Sequence, residues 1–308
     1  MNKRRVHIAS CISAAIAVLA IGGCVSQGAP KSGIGQGQAI VIDYTQDDIS
    51  SWSDMPMGTY RVPNSQVLVS GHQKGNAIAI AIGLPGAMDA ATDTSGGRAA
   101  VQGSEETLRI SLTAKAQDDL ARMLQTSTFS DKFTLVPNSK APVLHVSSNI
   151  VLQFLETGNV IPFVILKGKL IDTHGAASAW TMRYAASIGR PRPLDGEHGW
   201  MSEGGALLTM NVSSALERAL LVMLTDISSP FLRDDNRKSA ADGYFPFMSK
   251  RLQVVGYSIT EDTDWIAFSP KIIGTSLLAG VNIMDKSVTK IRVATKDDRR
   301  ISASSERP

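Results

Sequence analysis

The sequence predicts an α/β protein of the α+β type, in which an antiparallel meander sheet is packed by two helices and flanked by β-rich segments. Three observations lead to this prediction. Three long apolar runs in the middle of the chain are separated by short polar connections. Two other stretches carry apolar residues at helical spacing. Hydrophobic residues make up 43% of the 308 positions, which is enough to build a large core.

The first 23 residues have the features of an export signal. Lys3, Arg4 and Arg5 provide a positive start, and residues 8–23 form an uncharged run. This run is shorter than the roughly 20 residues that a spanning helix needs, so a simple membrane span is the weaker alternative. We therefore expect residues 1–23 to be a signal peptide.

The end of this run resembles the lipobox of bacterial lipoproteins, through Ile21, Gly22, Gly23 and Cys24. The resemblance implies that the Cys24 thiol receives a diacylglycerol, that the signal is cut before Cys24, and that the new amino terminus is acylated. An incidental cysteine is the alternative. Val25 follows, where an Asp commonly retains lipoproteins in the inner membrane. The resemblance therefore places the protein at the outer membrane, on its periplasmic face, held by acyl chains.

The charge of the mature chain argues against nucleic acid as a partner. The whole chain has 31 Lys and Arg against 28 Asp and Glu, and the signal holds three of the bases and none of the acids. The remainder is balanced, so the composition provides no basic footprint for counterion release. Cys11 lies in the signal and Cys24 is the only other cysteine, so an internal disulfide is excluded and a core must stabilise the fold.

The first part of the mature chain is expected to be a tether followed by strands. Residues 24–38 are rich in Gly, Ser and Gln and predict a flexible tether. Residues 39–104 predict a β-rich N-terminal segment, with strands at 39–44, 67–70 and 77–84 and an exposed loop at 86–104.

Residues 105–230 predict the central α/β domain. A helix at 113–125, with Thr113 as its N-cap, and a short strand at 133–137 precede the meander. Its three strands are expected at 143–155, 160–172 and 177–189, with Pro162 at an edge or a bulge because proline cannot donate to a ladder. A second helix at 206–227 follows. Its apolar face comprises Leu208, Val212, Leu216, Leu220, Met223 and Leu224.

This order of elements over residues 107–227 is similar to that of the auxiliary lipoproteins of bacterial transport systems and related small periplasmic lipoproteins. The resemblance implies a non-catalytic part that docks on a membrane-spanning or transport assembly.

The C-terminal part predicts a second β-rich segment at 251–295, which includes a hairpin formed by strands at 276–284 and 287–295. The charged residues 296–308 predict a disordered tail.

One stretch carries candidate acid/base residues: "DGEHGW", at 195–200, places Asp195, Glu197 and His198 beside Trp200. The alternative is a surface loop with the tryptophan tucked beneath it. No histidine pair has metal-ligand spacing, and no motif indicates a cofactor.

These observations lead to a functional expectation. We expect a lipid-anchored periplasmic lipoprotein that acts as a non-catalytic binding or scaffolding component of an envelope transport or secretion assembly. The alternatives are a periplasmic hydrolase acting on envelope material, with Glu197 and His198 as catalytic candidates, and a lipoprotein that captures lipid or another ligand in an apolar groove between the long helix and the sheet.

Overall fold

The chain forms a mixed α/β fold built on one large sheet. The computed structural model describes residues 39–45, 55–56, 58–72, 94–171, 180–229, 231, 233–272 and 277–304. Within these ranges there are 13 strands and three helices. The helices are α1 (Ser95–Ala100), α2 (Thr113–Met123) and α3 (Ser202–Ser228). The strands are β1 (Ile40–Thr45), β2 (Tyr60–Arg61), β3 (Val67–Ser70), β4 (Phe133–Thr134), β5 (Val143–Phe154), β6 (Val160–Ile171), β7 (Trp180–Ser187), β8 (Lys238–Gly243), β9 (Leu252–Glu261), β10 (Trp265–Pro270), β11 (Val281–Asp285), β12 (Lys290–Val293) and β13 (Ile301–Ala303).

The strands β5, β6 and β7 form the expected antiparallel meander, but within a larger mixed sheet. The order along the sheet is β12-β8-β9-β10-β11-β7-β6-β5-β1-β4, and β3 also pairs with β5. β1 and β3 run parallel to β5, and β11 runs parallel to β7. The prediction of a meander packed by two helices therefore holds only in part. The expected connection at 173–176 lies outside the described residues.

Pro162 lies at a local edge of the sheet. Val160 directs both its N–H and its C=O to Arg192, with N···O distances of 2.6 and 3.0 Å. Pro162, two residues further on, directs its nitrogen to the same side of β6. The pairing of β6 with β7 ends at Phe163, opposite Ser187, so no ladder hydrogen bond is lost at the proline.

The long helix α3 covers one face of the sheet. Glu203, Gly204 and Gly205 have left-handed φ values of 51°, 67° and 83°, so the regular helix begins after them. By length and composition α3 could cross a membrane, yet it packs on β6 and β7. All six residues of its predicted apolar face are 0% exposed: Leu208, Val212, Leu216, Leu220, Met223 and Leu224.

The helix α2 packs beside α3, where Arg122 and Glu217 form an ion pair of 2.8 Å. Its N-cap is Leu112, without a side-chain cap from the helix itself, so the prediction of Thr113 as N-cap is wrong. A side chain from another part of the sequence caps the helix start instead. The Leu112 N–H donates a hydrogen bond to Oε1 of Gln66 at 2.5 Å. The sequence gives no local signal for a cap supplied from 46 residues away.

The C-terminal strands fold back over the opposite face of the sheet. Val151, Phe163 and Ala185 of the meander share a second core with Val254 of β9 and Phe268 of β10. Its residues on β5 and β6 lie at the end of β5 and in the first half of β6.

The segment 86–104, predicted as an exposed loop, contains α1 within its described part. Gly97 is buried, and a Cβ there would lie 2.9 Å from Cβ of Tyr60. The small residues of this segment therefore allow close packing, and their lack of apolar periodicity does not indicate a mobile loop here. The expected strand at 77–84 lies outside the described residues, and β3 pairs instead with β2 and β5.

The C-terminal hairpin and the disordered tail are also corrected. β11 pairs with β10 and β7, and β12 pairs with β8, a strand that the sequence did not predict. β10 covers β9 only at Gly256–Glu261, which leaves the first residues of β9 unpaired on that side. Strand β13 pairs with Leu252–Val254 there, so residues 301–303 of the predicted tail are ordered by an open edge.

Candidate binding site on the open face of the sheet

The structure places the predicted acid/base residues on a surface loop between β7 and α3. Asp195, Glu197 and His198 are exposed, and no hydrogen bond or ion pair among the described residues joins their side chains. Trp200 is 1% exposed and donates from Nε1 to the Val160 carbonyl at 2.8 Å. The tryptophan therefore anchors the loop, and the geometry matches the surface-loop alternative.

Two further predictions concern lipidation and metal binding. Cys24, the predicted lipidation site, lies outside the described residues. In the part of the chain that the structure describes, no group of three or more His, Cys, Asp or Glu side chains could hold a metal ion.

A different set of polar residues comes together on the sheet because side chains alternate along a strand. Along β5, Leu144, Val146 and Ile150 face the core beneath the helices. His145, Ser147 and Asn149 therefore face the opposite side, and the same alternation on β1, β6 and β7 directs further polar residues there. We call this polar part of the sheet surface the open face.

The first row of the open face crosses four strands. Asp43 of β1 is in register with His145 of β5, His145 with Lys169 of β6, and Lys169 with Thr181 of β7. Directly opposed residues have Cβ atoms about 4.5–5.5 Å apart, so the four side chains are neighbours. Nδ1 of His145 lies 2.9 Å from Oδ2 of Asp43.

The second row lies one pleat further along the same strands. Thr45, Ser147, Lys167 and Arg183 are in register in that order. Ser147 and Arg183 are each 2% exposed. The Arg183 guanidinium donates through Nη2 to the carbonyl of Ala279 at 3.0 Å and to that of Leu277. The side chains of the second row are therefore buried or half-buried, whereas those of the first row are accessible to solvent.

Asn149 lies beyond the second row, at the border with the second core. It is 0% exposed, and neither its Oδ1 nor its Nδ2 has a hydrogen-bond partner among the described residues. Ile165 of β6 is its in-register neighbour and belongs to the apolar cluster. An unsatisfied buried amide costs free energy, and because Asn149 is fully buried it is not part of the accessible surface.

The open face carries charged side chains of both signs. Among the described residues, Lys167, Lys169 and Arg183 lie on it together with Asp43, and Lys167 and Arg183 already have partners. No described carboxylate lies within ion-pair distance of Lys169, whereas the side chains of His145 and Asp43 are paired and 36% and 51% exposed. This arrangement can bind an acidic or hydrogen-bonding group, and its strands fix the positions of the donors.

Sequence reasoning missed this site, although part of its signal is local. The alternation of His145, Ser147 and Asn149 with apolar residues, and the pair Lys167 and Lys169, are visible in the sequence. What the sequence does not show is that Asp43, 102 positions before His145, is aligned beside it. That alignment depends on the parallel pairing of β1 with β5.

Comparisons with known proteins give no information about this site. No family model matches the chain. No curated protein matches it at a significant level.

Proposed function

We propose that this chain is a lipid-anchored, non-catalytic binding component of a bacterial envelope assembly, and that the open face is its binding surface. The observation that carries the proposal is the accessible first row, in which Asp43, His145, Lys169 and Thr181 are aligned across β1, β5, β6 and β7. Fixed donors on a rigid sheet favour recognition of a partner.

The anchor and the location are supported by the sequence. The lipobox at Cys24 supports acylation, and the tether at 24–38 would let the folded part reach away from the membrane. Val25 supports the periplasmic face of the outer membrane. We infer that residues 107–227, in which α3 packs on the meander and α2 packs beside α3, form the unit that resembles the auxiliary lipoproteins, and this resemblance supports a docking role.

The partner that fits the open face is an acidic segment of another envelope protein. Lys169 supplies a cation with no described carboxylate partner, and Thr181 lies next to it in the same row. Extended acidic segments present carboxylates and backbone groups, which match ammonium and hydroxyl donors.

Co-purification from detergent-solubilised envelopes tests this role. Lys169→Glu reverses the charge in the first row, and we expect it to abolish recovery of the partner that the wild-type protein brings down. Lys140→Glu is the matched control, because Lys140 is exposed in the loop before β5 and outside the rows. Equal recovery with Lys169→Glu and wild type, or equal loss with both variants, would contradict the proposal.

A hydrolase acting on envelope material is the second candidate, and the Asp43–His145 contact favours it. A carboxylate at Nδ1 orients an imidazole so that Nε2 is free to act as a base. If this pair were catalytic, His145→Gln would abolish release of soluble products from isolated envelopes. Unchanged release, or none from the wild type, would remove this candidate.

The ligand-capture alternative has less structural support. It required an apolar groove between the long helix and the sheet, and side chains that are 0% exposed fill that interface, as Leu216 and Leu220 illustrate.

A further inference from the structure

A second polar site lies at the far edge of the sheet, away from the open face. A cleft of about 500 Å³ is lined by residues of β8, β9 and β12, by Lys271 after β10, and by the turn that leads into β13. Its lining includes four basic residues, Lys238, Lys271, Lys296 and Arg300. Two acidic residues, Asp235 and Asp298, also line it. We call it the basic cleft, and its volume is that of a small-molecule site.

The negative charge of Asp235, the first acid of the basic cleft, is balanced by neighbouring lysines. Asp235 accepts hydrogen bonds from the Lys271 ammonium and, at 2.8 Å, from the Tyr257 hydroxyl. Nζ of Lys238 is 3.5 Å away. The hydrogen bond from Lys271 is the main reason that the pKa of Asp235 falls to about 2. Asp235 therefore stays ionised and is matched by these two lysines.

The second acid is used to build the turn. Asp298 contacts Arg292 at 2.5 and 2.7 Å, and it accepts the Thr295 N–H at 2.6 Å. The hydrogen bond from Arg292 is the main reason that the pKa of Asp298 lies well below its usual range. The ion pair and the turn together fix the path of residues 294–298.

The two remaining cations have no such partner. Lys296 and Arg300 are exposed, and among the described residues their side chains form no hydrogen bond or ion pair. Their backbone is nevertheless ordered. Lys296 lies inside the turn that Asp298 closes, and the Arg300 carbonyl accepts the Val255 N–H at 2.9 Å. Two cations without described partners thus line one cleft, together with Val255, which is 8% exposed.

We propose that the basic cleft binds a phosphate-bearing anion between Lys296 and Arg300. Two uncommitted positive charges match a phosphate monoester, which carries about −1.5 to −2 at neutral pH, better than they match a single carboxylate. The guanidinium can make two parallel hydrogen bonds to phosphate oxygens, and the ammonium adds a point charge. Neither the lipid anchor nor the open face is needed for this inference.

Two sources could supply this chemistry, a soluble phosphate monoester or a lipid headgroup. Val293, on the rim of the cleft, is 79% exposed and would suit contact with a lipid. The experiment therefore has two arms, both with the full chain in a neutral detergent. In one, calorimetry measures the binding of glycerol phosphate. In the other, calorimetry measures the binding of phosphatidic acid supplied in mixed micelles of the same detergent.

The test variant replaces both cations, Lys296→Gln with Arg300→Gln. The control removes the same charge outside the cleft, Lys140→Gln with Arg190→Gln, at two exposed positions. We expect the test variant to weaken binding at least about tenfold in the arm where the wild type binds, and the control to stay within about twofold. Acetate should bind more weakly than glycerol phosphate. Far-UV circular dichroism of all variants checks the fold.

Each outcome has a defined meaning. A loss confined to the soluble arm identifies a free phosphate ligand, and a loss confined to the micelle arm identifies a headgroup. No binding by the wild type in either arm would overturn the proposal, as would an equal effect of the test and control variants.

Discussion

Truncation of one leucine on α3 tests how the helix is packed. Leu220 is 0% exposed and lies in the core between α3 and the sheet. Leu220→Ala removes three buried carbon groups, about 2.4 kcal/mol at 0.8 kcal/mol each. The cavity left behind adds to this, so we expect a loss of about 2–5 kcal/mol in the free energy of unfolding. This is a large share of the about 5–15 kcal/mol typical of a domain.

The adjacent residue gives a matched control. Leu221 has the same side chain on the same helix but is 38% exposed and should leave no closed cavity, so Leu221→Ala should cost no more than about 1.5 kcal/mol. Denaturant unfolding followed by far-UV circular dichroism measures both values. Equal losses for the two variants, or a loss below about 1 kcal/mol for Leu220→Ala, would refute the assignment of the buried face.

Three further predictions concern the anchor, the backbone and the basic cleft. Cys24→Ser should leave a protein that keeps its signal and gains no acyl chain by mass spectrometry, and normal processing would disprove the lipobox. Gly280→Ala should destabilise the fold by about 1–3 kcal/mol or more in the same unfolding assay, because Gly280 has φ of 110° and a Cβ would lie 2.3 Å from the Arg183 carbonyl oxygen. A loss below about 0.5 kcal/mol would argue against that close approach. The lowered pKa of Asp235 means that its contribution to stability is present above the ordinary value of about 3.9 and is lost as pH falls towards about 2. An NMR titration of its carboxyl should show that low midpoint, and Lys271→Gln should raise it; an unchanged midpoint would contradict the contact.

The parts of the fold that the sequence predicts are those encoded locally. The lengths of β5 and β6 follow from apolar runs bounded by polar turns, and the buried face of α3 follows from its helical periodicity. Even there the tertiary context changes details. Glu217 and Arg218 lie away from the main stripe, but the Arg218 side chain is only 22% exposed and its Nη1 is buried without a partner.

The parts that escape prediction depend on distant pairing. Strand β13 exists because β9 has an open edge, which its own residues do not reveal. The open face joins Asp43 to His145 through β1, and the basic cleft joins Lys271 to Lys296 and Arg300 across three strands. In the sequence these charges are scattered among acidic residues of a tail, and they form a cluster only when β12 and β13 pair with β8 and β9.

Site-specific photocrosslinking in intact envelopes tests whether the open face contacts a partner protein. A photoreactive residue replaces Lys169 on the open face in one strain and Lys140, outside it, in another. We expect a discrete crosslink to an envelope protein from position 169 and none from position 140. The same crosslinks from both positions, or none from position 169, would contradict the claim that the open face is the binding surface.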